Sequence, residues 1–145
     1  MKKVLKTSID AQEDIKAILD STSLPSMISG QIRQNMRVLN STKEDVTIGT
    51  LLWDGAQIQS GVIIINVHVP NLAGQYGEGG SIMDKTQPNI PRLKEIGSVI
   101  ASALDFYEGI DFSLRLRNPG HLESFGSEWI YAIEVNYIFL RRDVL

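Results

Sequence analysis

Strict alternation of apolar and polar residues is the feature that most constrains this chain. Between residues 129 and 139 every second residue is aromatic or branched, and Glu134 and Asn136 fall between them. Residues 110–117 alternate in the same way, with charged or polar residues at every second position. Successive side chains of a strand point to opposite faces, so both segments predict strands with one face against a core.

Three further strands are predicted upstream. Residues 32–38 and 44–53 show period-two alternation, and Asp54-Gly55 supplies the positive φ angles of a tight hairpin turn. The strand at 57–69 should therefore fold back antiparallel. Its run at 62–65 is apolar on both faces, which predicts a central place in the sheet. One side of the second strand carries Val46, Ile48 and Leu52.

Two helices complete the pattern. The first, capped by Thr7 or Ser8, runs to about residue 21, and the second begins after Asn89 and ends before Gly109. The second helix carries apolar residues at Leu93, Ile96, Ile100, Leu104 and Tyr107. The order α-β-β-β-α-β-β predicts an α+β fold, a two-layer sandwich in which a mostly antiparallel sheet carries two helices on one face. We expect one domain spanning residues 1–145.

A long glycine-rich loop is predicted at 70–90. It exceeds the usual length of a structureless connection, so we expect it to be functional and poorly ordered in the isolated protein. Its apolar side chains suit a partner surface, as do two arginines that could form a basic patch with Arg141 and Arg142. The predicted assembly residues are Leu72, Tyr76, Ile82, Met83, Arg115 and Arg117.

Composition excludes several kinds of chemistry. The chain has no cysteine, which removes disulfides and thiolate catalysis, and its net charge of -3 disfavours nucleic acid as a partner. His68 and His121 lack the spacing of a metal or triad motif, and residues 74–80 lack the Gly-Lys-Ser/Thr ending of a phosphate loop. We therefore predict no catalytic residue, no cofactor and no metal. The basic segment 1–6 precedes polar residues, and we expect a cytosolic protein that is mature from Met1.

The layout of the chain resembles the tail terminator, or tail completion, proteins of long-tailed bacteriophages and prophages. An early helix at 11–20 precedes Gly30-Gln31-Ile32 and the segment 44–49, and a long strand then ends in Val67-His68-Val69-Pro70-Asn71. A loop, a helix and the aromatic strand 129–137 follow. The resemblance implies a non-catalytic virion protein that forms a ring, typically a hexamer, on the tail tube. Its partners would be further copies of itself, the tail tube protein and the head connector, and it would assemble in the host cytoplasm.

Two other interpretations of the sequence remain open. The chain is alternatively an enzyme or small-molecule-binding domain whose long loop acts as a lid, which requires Tyr76, Asp84, His68 or His121 to meet in a concave site. It is also compatible with a cellular adaptor or secretion-system component of similar fold.

Overall fold

The computed structural model describes residues 5–56 and 58–140. Its helices are α1 (Ser8–Asp20), α2 (Leu24–Met27) and α3 (Ile90–Leu104). Its strands are β1 (Ile32–Gln34), β2 (Asp45–Asp54), β3 (Ile58–His68), β4 (Leu72–Tyr76), β5 (Ile82–Gln87), β6 (Phe112–Phe125) and β7 (Glu128–Leu140). A short 3-10 turn, Glu78–Gly80, joins β4 to β5.

Five strands form one sheet in the order β1-β2-β3-β7-β6, and β4 pairs with β5 in a separate two-stranded sheet. All neighbours are antiparallel except β1, which runs parallel to β2. The prediction of an α+β fold with a mostly antiparallel sheet is thus confirmed. The predicted element order is incomplete, because α2, β4 and β5 are additional and the main sheet is mixed.

The core lies between one face of the main sheet and the two long helices. In the register, Ile65 stands between Ile48 of β2 and Ile133 of β7, so these side chains share a face. They belong to one buried cluster with the apolar stripes of α1 and α3. The β3 strand is the middle strand of five, as its apolar run predicts. Buried side chains from the helices are Ala11, Ile15, Ile18, Leu19, Leu93, Ile96, Ile100 and Leu104.

Helix α3 lies close to β7 because Gly97 faces an aromatic ring. A Cβ at Gly97 would lie 2.6 Å from Cε2 of Tyr131, nearer than side chains pack. The helix begins as predicted, with Asn89 accepting a hydrogen bond from the Arg92 amide, but it ends at Leu104 rather than near Gly109. Tyr107 therefore packs on the core from the following turn.

The strand predicted at 32–38 stops at Gln34. Asn35 adopts a φ of 65°, a left-handed conformation that ends the extended run, while its amide still donates to the carbonyl of Ile48. The apolar residues that follow in the sequence are consequently exposed rather than inward-facing. Met36 and Leu39 are 72% and 86% exposed.

A β-bulge in β2 reverses the predicted side of Leu52. The register shifts between Thr50 and Leu52, so Leu52 turns to the outer face and Trp53 takes the core side. Trp53 then lies over Gly61, where a Cβ would be 2.5 Å from the indole ring. Gly61 thus accommodates the tryptophan opposite the bulge.

Strand β6 continues well beyond residue 117, where the alternation in the sequence stops, and runs through Asn118-Pro119-Gly120. Two register shifts between Leu116 and His121 absorb Pro119 within the strand. A proline fits here since β6 is the last strand of the sheet and has one side without a ladder partner in the described part of the chain.

The segment 70–90, predicted as a long loop, contains two paired strands. Residues of β4 and β5 pair antiparallel, with Gly74 opposite Asp84, and form a hairpin. Gly77 and Gly79 have φ angles of 84° and 66°, so the glycines that suggested disorder form its turn. We call residues 72–87 the hairpin below.

Candidate functional site

Four strands have their ends close together at one end of the main sheet. The register pairs Asp45 with His68, and Phe125 with Glu128, which places the start of β2, the end of β3 and the β6–β7 turn together. We call this end of the sheet the His68 end. The segment 35–41 and the base of the hairpin lie at the same end.

Arg37 holds the segment after β1 against β7. Its Nε lies 2.9 Å from Oδ2 of Asp45, and its Nη1 lies 3.0 and 3.2 Å from the two carboxylate oxygens of Glu128. Its Nη2 donates to the carbonyl oxygens of Ser41 and Lys43 at 3.2 and 2.9 Å. Every nitrogen of the guanidinium is therefore engaged, and the neighbouring apolar side chains are held on an anchored segment.

Asp45 is the buried counterpart of this arginine. It is 2% exposed, and its carboxylate also accepts hydrogen bonds from the amide of Gln31 and the hydroxyl of Ser41. Burial opposes its ionisation, but the hydrogen bonds from Ser41, Gln31 and Arg37 outweigh burial and hold the pKa of Asp45 below its usual value. Gly30 permits the packing, because a Cβ there would lie 2.0 Å from Oδ1 of Asp45.

A groove of about 460 Å³ opens beside Arg37 on the sheet face opposite the helices. Its polar floor consists of side chains from β2 and β3, and its apolar rim comes from the anchored segment and the end of β6. Phe125 on the rim is 63% exposed. Floor and rim residues include Thr47, Asn66, His68, Met36, Leu39 and Phe125.

The floor of the groove contains buried polar atoms without partners. His68 is 7% exposed, and its Nε2 lies 3.2 Å from Oγ1 of Thr47. Its Nδ1, like Oδ1 of Asn66, is buried and has no hydrogen-bond partner in the described part of the chain. Burial, reinforced by the charge of Arg37, lowers the pKa of His68 to about 4. The imidazole is thus neutral at pH 7, and its Nδ1 is enclosed by the surrounding chain without a hydrogen-bond partner.

The hairpin is attached to the same end by side chains at its base. The Nδ2 of Asn71 donates to the carbonyls of Lys85 and Ser127 at 2.9 and 2.8 Å. The indole nitrogen of Trp129 donates to the carbonyl of Thr86 at 2.8 Å. These bonds fix the base of the hairpin to the β6–β7 turn.

Four of the predicted assembly residues lie on the hairpin. Leu72, Ile82 and Met83 are 45%, 60% and 51% exposed, and Tyr76 ends β4, where its backbone pairs with Ile82. The pairing places Leu72 and Ile82 on one face of the hairpin and Met83 on the other. The structure therefore brings these positions together on a single element.

The two predicted arginines lie elsewhere, on β6. Arg115 stands opposite Asn136 on the edge strand, binds Glu108 at 2.8 Å and lies over the ring of Phe106. Arg117 is exposed in the next part of the strand. Arg141 and Arg142 of the predicted basic patch lie outside the described residues.

A second apolar surface lies at the opposite end of the same sheet face. Leu52, Ile58 and Ile138 are 61%, 58% and 41% exposed. The β2–β3 and β3–β7 registers place all three on the face that carries the groove, beyond Val62. This surface is separate from the groove and differs from it in shape and chemistry.

A buried lysine, which the sequence did not reveal, ties the N-terminal segment to the core. Lys6 is 5% exposed, and its ammonium lies 2.7 Å from Asp14, 3.1 Å from Asp111 and 2.9 Å from the hydroxyl of Tyr137. Burial, followed by the hydrogen bond to Asp14, raises the pKa of Tyr137. Gln59 exchanges two hydrogen bonds with the backbone of Lys6. This network joins elements distant in sequence.

Among the residues required for an enzyme with a lid, His68, His121 and Asp84 do not converge. His68 lines the groove, but His121 binds Asn118 and Glu123 within β6, and Asp84 caps Thr86 inside the hairpin. Within residues 5–56 and 58–140, no group of three histidine or acidic side chains is placed to hold a metal ion. No helix in that part of the chain is long and apolar enough to span a membrane.

No protein-family model matches this sequence, and no match is found among curated proteins.

Proposed function

We propose that this chain is a non-catalytic structural protein of the tail terminator type, copies of which close into a ring on a phage tail tube. The observation that carries the proposal is the pair of exposed apolar surfaces at opposite ends of one well-packed sheet. Surfaces of this kind usually mark protein interfaces when their residues cluster. A ring requires two different complementary surfaces on each subunit, and not one self-complementary surface.

The scaffold proposed for this role is a two-layer sandwich. Support comes from the shared buried cluster of α1, α3 and the inner sheet face, which leaves the outer face available for contacts. The second half of the edge strand β6, beyond the residues already bonded by the 105–109 segment, adds backbone groups that a neighbour's strand could pair with. These features suit a small subunit that is completed by identical neighbours.

The partners proposed are further copies of the chain, the tail tube protein and the head connector. One face of the ring would stop tube growth, and the other would present the surface that joins the filled head. The protein would act in the virion after assembling in the host cytoplasm. The resemblance in layout supports these assignments, together with the apolar hairpin at one end of the sheet.

Electron microscopy of the purified protein mixed with isolated tail tubes tests the proposal. We expect annular particles in the protein alone and capped tube ends in the mixture. Tubes incubated with heat-unfolded protein serve as the control. A protein that stays monomeric and leaves tube ends open would refute the proposed function.

A further inference from the structure

We propose that the main sheets of neighbouring copies join edge to edge, with β1 of one copy pairing with residues 122–124 of the next in the register that sets Arg33 opposite Glu123. This inference rests on the proposed function, since it names the contact by which the proposed ring closes. The partner of the open β6 edge is therefore a second copy of this chain, bound through its own edge strand.

The two edge strands of the main sheet run in opposite directions. Strand β1 is parallel to β2, and the three pairings that follow across the sheet are antiparallel, so β6 points the opposite way to β1. A copy set beside β6 in the same orientation therefore presents its β1 antiparallel to β6. Both copies then keep their helices on the same side of the joined sheet. Such a contact is heterologous, which is the type that closes into a ring.

Only the second half of the β6 edge is open in the described part of the chain. In the first half, the amides of Leu114 and Leu116 already donate to the segment 105–107. Pro119 has no amide hydrogen and interrupts any ladder along this edge. The stretch that remains, residues 121–125, is short, and the three residues of β1 fit within it.

On β6 the open backbone groups belong to Leu122 and Ser124. Phe125 pairs with Glu128 across a two-residue turn, which makes them a hydrogen-bonded pair of the β6–β7 hairpin. Bonding toward β7 then falls on every second residue, and the residues between direct their amides and carbonyls to the open edge. Leu122 and Ser124 are both exposed, so a partner strand can reach this edge.

On β1 the open backbone groups belong to Ile32 and Gln34. The carbonyl of Gln31 and the amide of Asn35 both bond to β2. A parallel ladder uses alternate residues, so Ile32 and Gln34 direct their backbone groups away from β2. The carbonyl of Gln34 accepts a hydrogen bond from the amide of Met36. The amide of Gln34 and both groups of Ile32 therefore remain for a partner strand.

One register matches these backbone groups and also pairs opposite charges. Arg33 and Glu123 lie on the sheet face opposite the helices and become the non-hydrogen-bonded pair, in which side chains approach most closely. The hydrogen-bonded pairs on either side are Ile32 with Ser124 and Gln34 with Leu122.

The charges select this register over its neighbours. Arg33 is exposed and has no ion-pair partner among the described residues. Glu123 binds His121 through Oε1 at 2.6 Å, and 48% of its side chain is exposed, so Oε2 is available to a second cation. A slip of two residues in either direction would set Arg33 against His121 or Phe125 and lose the pairing of opposite charges.

The register also supplies the stagger that a closed sheet needs. Within one copy, the pairings across the sheet align Arg33 with Thr47, Asn66, Ala132 and His121. Joining Arg33 to Glu123, which lies two residues beyond His121, offsets each copy along the strand direction. Closing a sheet requires tilted strands and a staggered register, so this constant offset favours closure over a flat ribbon.

Charge reversal tests the register. We expect Arg33→Glu and Glu123→Arg each to weaken association of the full chain in sedimentation about ten-fold, because like charges then face each other. The double variant should recover most of the loss, and all three should keep the urea midpoint of the parent, since both side chains are exposed. The matched control Asp54→Arg reverses an acidic charge at the far end of β2 and should leave association unchanged. Single variants that associate like the parent, or a double variant that recovers nothing, would overturn the proposal.

Cysteine cross-linking tests the contact itself, because the chain has no cysteine of its own. Non-hydrogen-bonded neighbours in antiparallel strands have Cα atoms about 4.5 Å apart, within the range of a disulfide. Arg33→Cys/Glu123→Cys should therefore give a ladder of covalent multimers on mild oxidation. A link within one copy is excluded, because the two positions lie on opposite edges of a five-stranded sheet, about 19 Å apart at the usual strand spacing.

The matched control Arg33→Cys/Phe125→Cys keeps both thiols on the same sheet face but moves one of them by two residues. We expect it to give no ladder, and equal ladders from the two double variants would overturn the register. Rings in electron micrographs that form no link between positions 33 and 123 would refute the edge contact alone. A strict monomer would refute the proposed function as well.

Discussion

Protonation of His68 should destabilise the fold within a defined pH window. The unfolded histidine titrates at 6.5, whereas burial, with the charge of Arg37, lowers the pKa of the folded residue to about 4. Between these values the unfolded chain binds more protons than the folded chain, so the free energy of unfolding falls as pH falls. The contribution of His68 is complete above pH 6.5 and is lost as pH approaches 4.

The magnitude follows from the two pKa values. Lowering the pH from 7.5 to 5 should cost about 2 kcal/mol, and the whole window about 3 kcal/mol, since one pKa unit corresponds to about 1.4 kcal/mol. The carboxylates Glu44 and Asp45 also have lowered pKa values, so their protonation lowers the free energy of unfolding further at more acidic pH. A variant that lacks only the imidazole is therefore needed to isolate the effect.

Urea unfolding of the parent protein and of His68→Gln at pH 7.5 and pH 5 measures the difference. We expect the parent to lose about 2 kcal/mol more than the variant over this interval. Nuclear magnetic resonance titration should find His68 uncharged at pH 5.5, with His121→Gln used to assign the two imidazoles. Parallel pH profiles for the two proteins, or a His68 pKa near 6.5, would refute the reasoning.

Four other substitutions, one of them a control, test the packing by chemical denaturation. Lys6→Met should cost about 3 kcal/mol because it removes the buried cation that joins the partly buried Asp14 and Asp111, whereas Lys16→Met, which removes an exposed pair, should change stability by less than about 0.5 kcal/mol. Equal effects would contradict the assignment. Gly97→Ala gains about 1 kcal/mol of helix propensity, but it places a methyl group 2.6 Å from Tyr131. We therefore expect a net loss of stability of about 1 kcal/mol, and a net gain would disprove the close approach. Gly30→Ala forces a Cβ to within 2.3 Å of a backbone carbonyl and should cost about 2 kcal/mol or more, with an unchanged midpoint counting against the crowding.

The sequence predicted those elements in which apolar side chains recur at a regular spacing. Strands β3 and β7 and helix α3 were evident because burial on one side, or on both, imposes a regular apolar pattern. The bulge that turns Leu52 outward escaped prediction, because nothing in the local alternation marks an inserted residue. The sequence does not predict the continuation of β6 through Pro119 either. A proline normally ends a strand, but an edge strand tolerates one because its outer side needs no ladder hydrogen bond.

The candidate site was harder to predict because its parts come from distant segments. The sequence predicts a loop where the hairpin lies, because glycines are typical of turns and of disorder alike. Its apolar side chains nevertheless indicate a partner surface. The sequence does not predict the groove, because Met36 and Val38 continue the alternation of a strand. In the structure the strand ends before them, at the left-handed Asn35. The asparagines at 35 and 40, which both take positive φ, were the available signal.

Lys6 illustrates a limit of pattern analysis. A lysine in a basic N-terminal segment is normally solvated, and here it is buried only because Asp14, Asp111 and Tyr137 converge on it. Two of these partners lie more than a hundred residues away along the chain. No local signal encodes such a convergence.

Native mass spectrometry of the untagged full chain tests the central claim most directly. The account predicts a single closed species whose mass is a whole-number multiple of 16.1 kDa, a hexamer by the resemblance, without a graded series of larger particles. A monomer that persists at all protein concentrations would contradict it.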